Sequence, residues 1–591
     1  MDWQGWLSLA LTVGALLTLS LTRLGPHLVM MAVLTVLTVS GVLSGAEALS
    51  GFANPGLVTV AAMFVVAAGL HASGGIDLMV HKALGMPKGE RSALMRIFSP
   101  VVVLSAFLNN TPVVATMIPA IHAWSRKINI APSKLMIPLS YTAILGGTLT
   151  LIGTSTNLVV NGQYQAITGE KGFHLFDITA VGLPVAIIGL LFIWLVFPRL
   201  LPDRKQNRAF ANLREFTLEV CVSTNGPLVG KSIQEAGLRH LQRVYLVEIE
   251  RDGTIVTAVP SEEILKGGDR LVFAGDTEAI SDLLRINGLE PSAENGHSDA
   301  LTENRAERRL VEAVVSPHCA AIGQAIRDAR FRDQYGAVVL AVARNGERVK
   351  GNLGTIELEA GDTLLLEARP AFVSRQRYNK DFLLINDLDT EPPRHEKALL
   401  AWAILLGVVG AATIGIIDML HAALIGAGLM LATGCCSVSQ GEKSLDLPVL
   451  ITIGASFALG AALQKTGVAT FLAANIIDLS SGTPWLMLVL TYLTVSLMTE
   501  FITNNAAAIL MLPITLEMTE KAGLSNEPFV FAIMMAASAS FATPLGYQTN
   551  LMVYGPGGYT FGDFLKVGLP MNILIGAATL TVLLIGWPLV I

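Results

Sequence analysis

Two short polar clusters, Asn109-Asn110-Thr111 and Thr503-Asn504-Asn505, each interrupt a long apolar stretch. Asn carries a carbonyl oxygen and two N–H donors, and Thr a hydroxyl that both donates and accepts. A facing pair of such clusters can supply oxygens to a small hard cation such as sodium, and N–H groups to a carboxylate or sulfate oxygen. A second pair of interruptions runs from Thr150 to Asn157 and from Thr543 to Asn550. There Gly153 with Thr154, and Pro544 with Gly546, unwind a helix and free its carbonyls for the same cation. Aligning the clusters on Pro119 and Pro513 places Ser105 on Thr499 and Ala106 on Glu500. Glu500 reads as an intramembrane functional carboxylate or as a cap or brace for the chain around it. For the Asn and Thr clusters, the alternative to ligand binding is the capping of broken helices. The sequence contains no nucleophile–base pair and no metal-ligand spacing of His, Cys or acidic residues, so it does not read as an enzyme.

The elements that hold these clusters are short. An apolar arm of about 11 residues runs from Ile97 to Leu108, and another of similar length follows the tip to Ala123. At 1.5 Å per residue each reaches about 17 Å, half of a hydrocarbon core about 30 Å thick. The pattern predicts a re-entrant helical hairpin whose tip ends mid-bilayer, where non-helical backbone survives only when buried or lining a water-filled cavity. The second hairpin has arms Trp485–Ile502 and Ala506–Pro513. Apolar runs of about 20 residues recur from residue 5 to 200 and from 397 to 591. With 52% hydrophobic and 15% charged residues, a soluble globular chain is excluded. The first run, Trp6 to Leu21, lacks a basic leader and a small-residue cleavage site and reads as the first membrane helix. Cys221, Cys319, Cys435 and Cys436 fall in no disulfide or metal spacing and read as small apolar fillers.

The two apolar regions look related. Three segments beginning at Phe64, Gly147 and Phe176 match segments beginning at Phe457, Ser540 and Gly562, in the same order and about 390 residues apart. A membrane repeat points to a binding site at the repeat interface. Lys82, Lys88, Arg91 and Arg96, with Arg126, Lys127 and Lys134, bracket the first hairpin, whereas Asp478, Glu517, Glu520 and Glu527 bracket the second. An excess of Lys and Arg marks the cytoplasmic face, so the halves are expected to be inverted. The basic run Arg199, Arg204, Lys205 and Arg208 places the following insert in the cytoplasm.

That insert repeats as well. Leu218 to Arg239 aligns with Val311 to Arg332 at an offset of 93, each copy alternating over short β-rich runs before one helical stretch. The expected organisation is a polytopic α-helical membrane protein with an inverted repeat, two re-entrant hairpins, broken helices and two small α+β cytosolic domains. Its parts are 1–200 (membrane repeat one), 212–290 and 306–378 (the two domains) and 397–591 (membrane repeat two), with a polar linker from Glu290 to Arg305. Gly267-Gly268-Asp269 and Gly361-Asp362 read as hairpin turns, not phosphate loops.

The paired tips, the breaks ending G-x-x-T-N and the split halves resemble the divalent anion/sodium symporter family of the ion transporter superfamily. The insert resembles two RCK-C domains. This likeness implies sodium-coupled import of a small divalent anion (sulfate, a sulfonate or a dicarboxylate) by an elevator movement. It also implies a homodimer in the cell inner membrane with no nucleic-acid partner, and a nucleotide such as cyclic di-AMP as a ligand of the insert. The family's tips read Ser-Asn-Thr. Here Asn109 stands for the first Ser, and Thr503 and Asn505 stand for Ser and Thr in the second. Carried over, sodium falls to Ser105, Asn109, Asn110 and Gly153, and to Thr499, Asn504 and Ala542. Substrate falls to Asn109, Asn110, Thr111 and Thr150, and to Thr503, Asn504, Asn505, Thr543 and Pro544. A proton-coupled or arsenite-type antiporter of the same superfamily is the alternative. An RCK-gated potassium channel is disfavoured by the missing filter sequence.

Overall fold

A computed structural model describes residues 2–204 apart from Arg23, and 397–590 apart from Phe501 and Leu545. Between them it describes 217–291 and 309–387, except 239–240, 242–243, 252–253, 258, 260–261, 276–282, 284–285, 317–318, 330, 345–346, 350–352, 369–371 and 373–380. The basic residues Lys205 and Arg208, the linker beyond Pro291 and the outer ends of both expected insert domains lie outside the described residues. The chain forms two compact units. One comprises Met1–Asp203, Pro393–Val553 and Thr560–Ile591; the other comprises Arg204–Pro392 and Tyr554–Tyr559.

The first unit is helical. Its opening half holds α1 (Trp3–Leu21), α2 (Pro26–Val39), α3 (Gly45–Leu49), α4 (Pro55–Ala72), α5 (Gly75–Leu84), α6 (Glu90–Phe107), α7 (Asn110–Ile128), α8 (Met136–Gly147), α9 (Ser155–Thr168) and α10 (Thr179–Leu200). Local chemistry sets the boundaries. Asn54 caps α4 by accepting from Gly56 N at 2.8 Å, with Pro55 at the first helical position. Gly169, at φ +73°, ends α9 in the left-handed conformation that glycine adopts without strain.

The second half returns the same series after the insert, whose one described helix, α11, spans Phe331–Tyr335. It holds α12 (Ala398–Ile414), α13 (Met419–Ala432), α14 (Val438–Ser444), α15 (Leu447–Lys465), α16 (Val468–Leu479), α17 (Pro484–Met498), α18 (Asn504–Ala522), α19 (Asn526–Ser538), α20 (Gln548–Tyr554) and α21 (Phe561–Gly586). Packing crosses between halves reciprocally: α2 lies on α15, and α13, the counterpart of α2, lies on α4. Small residues allow the close approach, with Gly69 against Met430 and Gly51 against Gly454.

Among the described residues, four helical segments are long and apolar enough to cross a membrane (Gly45–Ala72, Thr179–Leu200, Leu447–Lys465 and Phe561–Gly586), and six shorter apolar helices accompany them. On α10, Leu183, Ile187, Leu191 and Leu195 are each between 44% and 50% exposed, while Val181, Val185, Ile193 and Phe197 on the other side are fully buried. An unbroken outward aliphatic stripe suits lipid and not water. The hairpin helices run 18 residues in α6 and 19 in α7. They outlast the apolar arms read from sequence because the helix continues through polar residues such as Glu90 and Arg91 at one end and Ser125 and Lys127 at the other.

Among its described residues, the second unit contains two five-stranded antiparallel sheets. The first has β1 (Thr217–Val222), β2 (Val244–Arg251), β3 (Thr254–Thr257), β4 (Arg270–Gly275) and β5 (Leu289–Pro291), in the order β3-β2-β4-β1-β5. The second has β6 (Arg309–Val315), β7 (Ala337–Arg344), β8 (Glu347–Arg348), β9 (Thr363–Ala368) and β10 (Phe382–Asp387), in the order β10-β6-β9-β7-β8. Read from its last strand, the second order repeats the first strand for strand. Each buries one apolar cluster, around Val220, Leu271 and Phe273 in one and Val311, Leu364 and Leu366 in the other.

The helical stretch expected in each copy is largely a run of turns. Its backbone N–H groups bond across the chain, Ile233 N to Glu263 O and Ile326 N to Ile356 O, not up a helix. The two Gly-Asp sequences are turns. Gly268 and Gly361 take φ of +86° and +88°, and the carboxylates behind them accept paired bonds from arginine. Arg251 meets Asp269, and Arg344 meets Asp362, through two contacts of 2.8 Å in each pair. Both carboxylates are 1% exposed. Their hydrogen bonds hold each guanidinium pKa above its ordinary value, so these acids are spent on the fold and not on phosphate.

Candidate functional site

Each hairpin turns through an uncapped helix start. Leu108 is extended after α6, and Asn109, at φ −56° and ψ 140°, precedes α7. Thr503 stands before α18 at φ −66° and ψ 144°. Neither side chain makes a capping hydrogen bond. Capping therefore does not account for these tips. Two long helices start there with backbone N–H groups that no side chain of the cap residue satisfies, the arrangement that favours an anion.

The tips reach across to the other half. Asn110 Nδ2 donates to Tyr547 Oη at 2.8 Å, and Thr111 Oγ1 donates to Gln548 Oε1 at 3.1 Å. In return Asn505 Oδ1 accepts from Thr156 Oγ1 at 2.9 Å, with Ser155 Oγ at 3.4 Å. Thr111 and Asn505 hold equivalent positions in the aligned halves, as do Gln548 and Ser155. The two contacts are thus one contact made twice. Each binds a hairpin tip to the helix start of the opposite break.

The breaks themselves are held open by asparagines. The chain leaves α8 at Gly147 and re-enters helix at Ser155; it leaves α19 at Ser538 and re-enters at Gln548. Asn157 Nδ2 donates to Thr150 O at 3.1 Å, and Asn550 Nδ2 donates to Thr543 O at 3.2 Å and Ser540 O at 3.0 Å. Thr150 Oγ1 donates to Ala106 O, and Thr543 Oγ1 to Glu500 Oε2 at 2.9 Å. These threonine hydroxyls bind each break to its own hairpin. Glu500 is a brace in this geometry: Oε1 accepts from Asn572 Nδ2 at 2.9 Å and faces Ala542 N at 3.4 Å. Pro544 lies buried within the second break.

Oxygens without partners gather in the first half. Ser105 and Asn110 are both fully buried, and neither Ser105 Oγ nor Asn110 Oδ1 has a hydrogen-bond partner. A methyl placed on Gly153 would sit 2.6 Å from Gly147 O and 2.7 Å from Ser105 O, and one on Gly147 would sit 2.8 Å from Asn110 Oδ1. Asn110 Oδ1 and two carbonyls thus crowd the space that these glycines leave free. Orphaned buried oxygens cost free energy unless something polar meets them. An uncharged set of oxygens fits a monovalent hard cation. The second half differs, since Thr499 Oγ1 lies 2.7 Å from Asn504 Oδ1 and 3.0 Å from Ala537 O. There the equivalent oxygens already bond each other.

The structure therefore groups Ser105, Asn110 and Gly153 together, and Thr499 with Asn504. It leaves Asn109 half-buried and Thr503 exposed at the tips. The sequence reading did not single out Tyr547, Gln548, Ser155 and Thr156 as tip partners. Their only signal was position at the restart of each break.

A family model described as a citrate transporter matches residues 16–437 and 412–590. A protein of Chlamydomonas reinhardtii named for regulation of the sulfur deprivation response is 37% identical over 563 residues, covering 93% of this chain and 95% of that protein. An uncharacterized transporter of Synechocystis is 33% identical over 595 residues, covering 98% and 96%. Sodium/sulfate cotransporter 1 of Chlamydomonas reinhardtii is 27% identical over 782 residues, covering 97% and 89%.

Proposed function

The chain belongs to the citrate-transporter family, and on that premise we propose that it takes up a small divalent oxyanion, sulfate first among them, in symport with sodium. It is a multi-pass membrane transporter and not an enzyme. The observation that carries the proposal is the reciprocal pairing of tips and breaks, Asn110 and Thr111 on Tyr547 and Gln548, and Asn505 on Ser155 and Thr156. It gathers uncapped helix starts, which favour a divalent anion, beside unpartnered oxygens, which favour sodium. Relatives named sodium/sulfate cotransporters support the choice of ions.

In this reading Ser105, Asn110 and the carbonyl oxygens near Gly153 ligate sodium. The N–H groups at the starts of α7 and α18, with Thr111 and Asn505, receive the oxyanion. The halves form an inverted repeat with re-entrant hairpins, and the paired tips move together against the rest of a homodimer as an elevator. The insert acts as two RCK-C-like domains that regulate from the cytoplasm, and their matching strand orders support a common origin. Thermal-shift titration of the purified full-length protein tests the pairing of ions. Sulfate should raise the unfolding midpoint in sodium and not in choline. A dicarboxylate that stabilises while sulfate does not would reassign the substrate, and stabilisation by sulfate independent of sodium would end the symport reading.

A further inference from the structure

The link between α20 and α21, Tyr554–Tyr559, groups with the insert and not with the helices that it joins. Two contacts seat it there. Arg204 Nη1, at the head of the insert, donates to Gly558 O. Gly555 lies so close to the second sheet that a methyl on it would sit 2.6 Å from Gly361 O and 2.7 Å from Thr363 Oγ1. Thr363 Oγ1 is buried and has no hydrogen-bond partner. The equivalent place on the first sheet is filled. It carries Arg270, whose Nε donates to Glu219 Oε2 at 2.6 Å and whose Nη1 lies 3.5 Å from Glu250 Oε2. In the second copy Ala343 stands at the position of Glu250. The copies thus share the Gly-Asp turn and the arginine clamp, and differ where the link is seated.

The link ends a series of contacts that starts at the first hairpin tip. Asn110 and Thr111 bond Tyr547 and Gln548, α20 runs from Gln548 to Tyr554, and the seated residues follow directly. The two ends of the insert are fastened to different helices. Its entry follows α10, where Lys134 Nζ, from the segment after the first hairpin, donates to Pro198 O at 2.7 Å and Leu201 O at 2.8 Å. Its exit leads into α12, where Lys397 Nζ donates to Thr433 O at 2.9 Å and Gly434 O at 3.1 Å, just past α13. Helix α12 itself packs on α13, α4 and α5. We propose that the second insert domain holds the α20–α21 link as a brake on the movement of the tips, tied through the exit of the insert to α12 and α13. The proposal rests on the elevator reading above and says where the insert acts on it. Tips that travel carry α20 and its link along, and the seat opposes that travel until the second domain releases the link. Regulation then changes the turnover rate through a conformational step and leaves the ion sites as they are.

Gly555→Val fills the close approach, and Thr363→Arg installs the residue of the first copy, so each should unseat the link. In proteoliposomes of the full-length protein, the maximal rate of sodium-driven sulfate uptake should rise about two- to thirtyfold. Half-saturation by sodium and by sulfate should not change, and hydrogen exchange of α20 should quicken. Thr363→Arg carries the test if Gly555→Val fails to fold. In a chain whose four native cysteines are replaced by Ser, Gly555→Cys with Thr363→Cys places two thiols within disulfide reach. Oxidation by copper–phenanthroline should lower the maximal rate, and a reductant should restore it. A disulfide that forms without changing the rate overturns the proposal. So does a maximal rate that falls in both unseating variants together with the unfolding midpoint, since the seat would then only support the fold. Unchanged exchange of α20 in both variants overturns it too, whatever anion is carried. Sulfate uptake by wild type that ignores sodium overturns the symport reading instead, because exchange and the disulfide still report on the link.

Discussion

Replacing Asn110 by Ala removes a hydrogen bond and a candidate sodium ligand in one step. The side chain is fully buried, its Nδ2 bonds Tyr547 Oη at 2.8 Å, and its Oδ1 is unpartnered. Losing a buried polar partner costs about 1–3 kcal/mol, or roughly a 5- to 150-fold loss of affinity. Sodium activation of uptake should therefore shift to higher concentration by that range, and apparent anion affinity should fall with it, because coupling between two bound species is reciprocal. Tyr547→Phe separates the two roles, since it removes the bond to Nδ2 and leaves Oδ1 in place. It should cost less in sodium affinity than Asn110→Ala. Asn504→Ala should also cost less, because Asn504 Oδ1 is already engaged with Thr499 Oγ1. Sodium activation curves in proteoliposomes give all three. Equal shifts for Tyr547→Phe and Asn110→Ala would mean that Asn110 is a strut, and the ligand assignment would fail.

Further outcomes follow from the same geometry. Gly153→Ala forces a methyl within 2.6 Å of Gly147 O, and should abolish sodium-dependent uptake in protein that still reaches the membrane, as surface labelling alongside transport would show. Asn505→Thr shortens the side chain that reaches Ser155 and Thr156, and should change the ratio of sulfate to dicarboxylate uptake more than the sodium dependence, measured by competition. Arg344→Ala leaves the buried Asp362 carboxylate without its clamp. It should cost about 1–3 kcal/mol of local stability, read as faster hydrogen exchange in β7 and β9 of the full-length protein, with substrate preference unchanged. Cysteines at Arg126 and Glu520 should react with an impermeant thiol reagent from opposite faces of the membrane. Labelling of both from one face would refute the inverted arrangement.

The tips, the breaks and the offset between halves were legible because each is a local departure from an apolar background. A run such as Leu108-Asn109-Asn110-Thr111-Pro112 announces itself without any partner. The Gly-Asp turns were legible for the same reason, since a glycine next to an acid is a short-range signal. What those tips touch was not legible. Tyr547 and Gln548 stand 437 residues from Asn110 and Thr111, and Ser155 stands 350 residues from Asn505, so only the fold brings them together. Thr150 and Thr543 carry hydroxyls that could serve a substrate, but the structure turns both onto their own hairpins. Glu500 was ambiguous because its role depends on Asn572 and on the turn at Ala542, neither of which is near it in sequence. Hairpin length was underestimated because apolar length measures the lipid-facing part of a helix, while α6 and α7 continue through charged residues.

Coupling between sodium and the anion is the property most directly open to measurement. Purified protein reconstituted into liposomes can be given an inward sodium gradient, an inward proton gradient in choline, or neither, with radiolabelled sulfate outside. Accumulation above the equilibrium level under the sodium gradient alone, lost in Asn110→Ala at low sodium, is the expected result. Accumulation driven equally well by the proton gradient in sodium-free choline would contradict it.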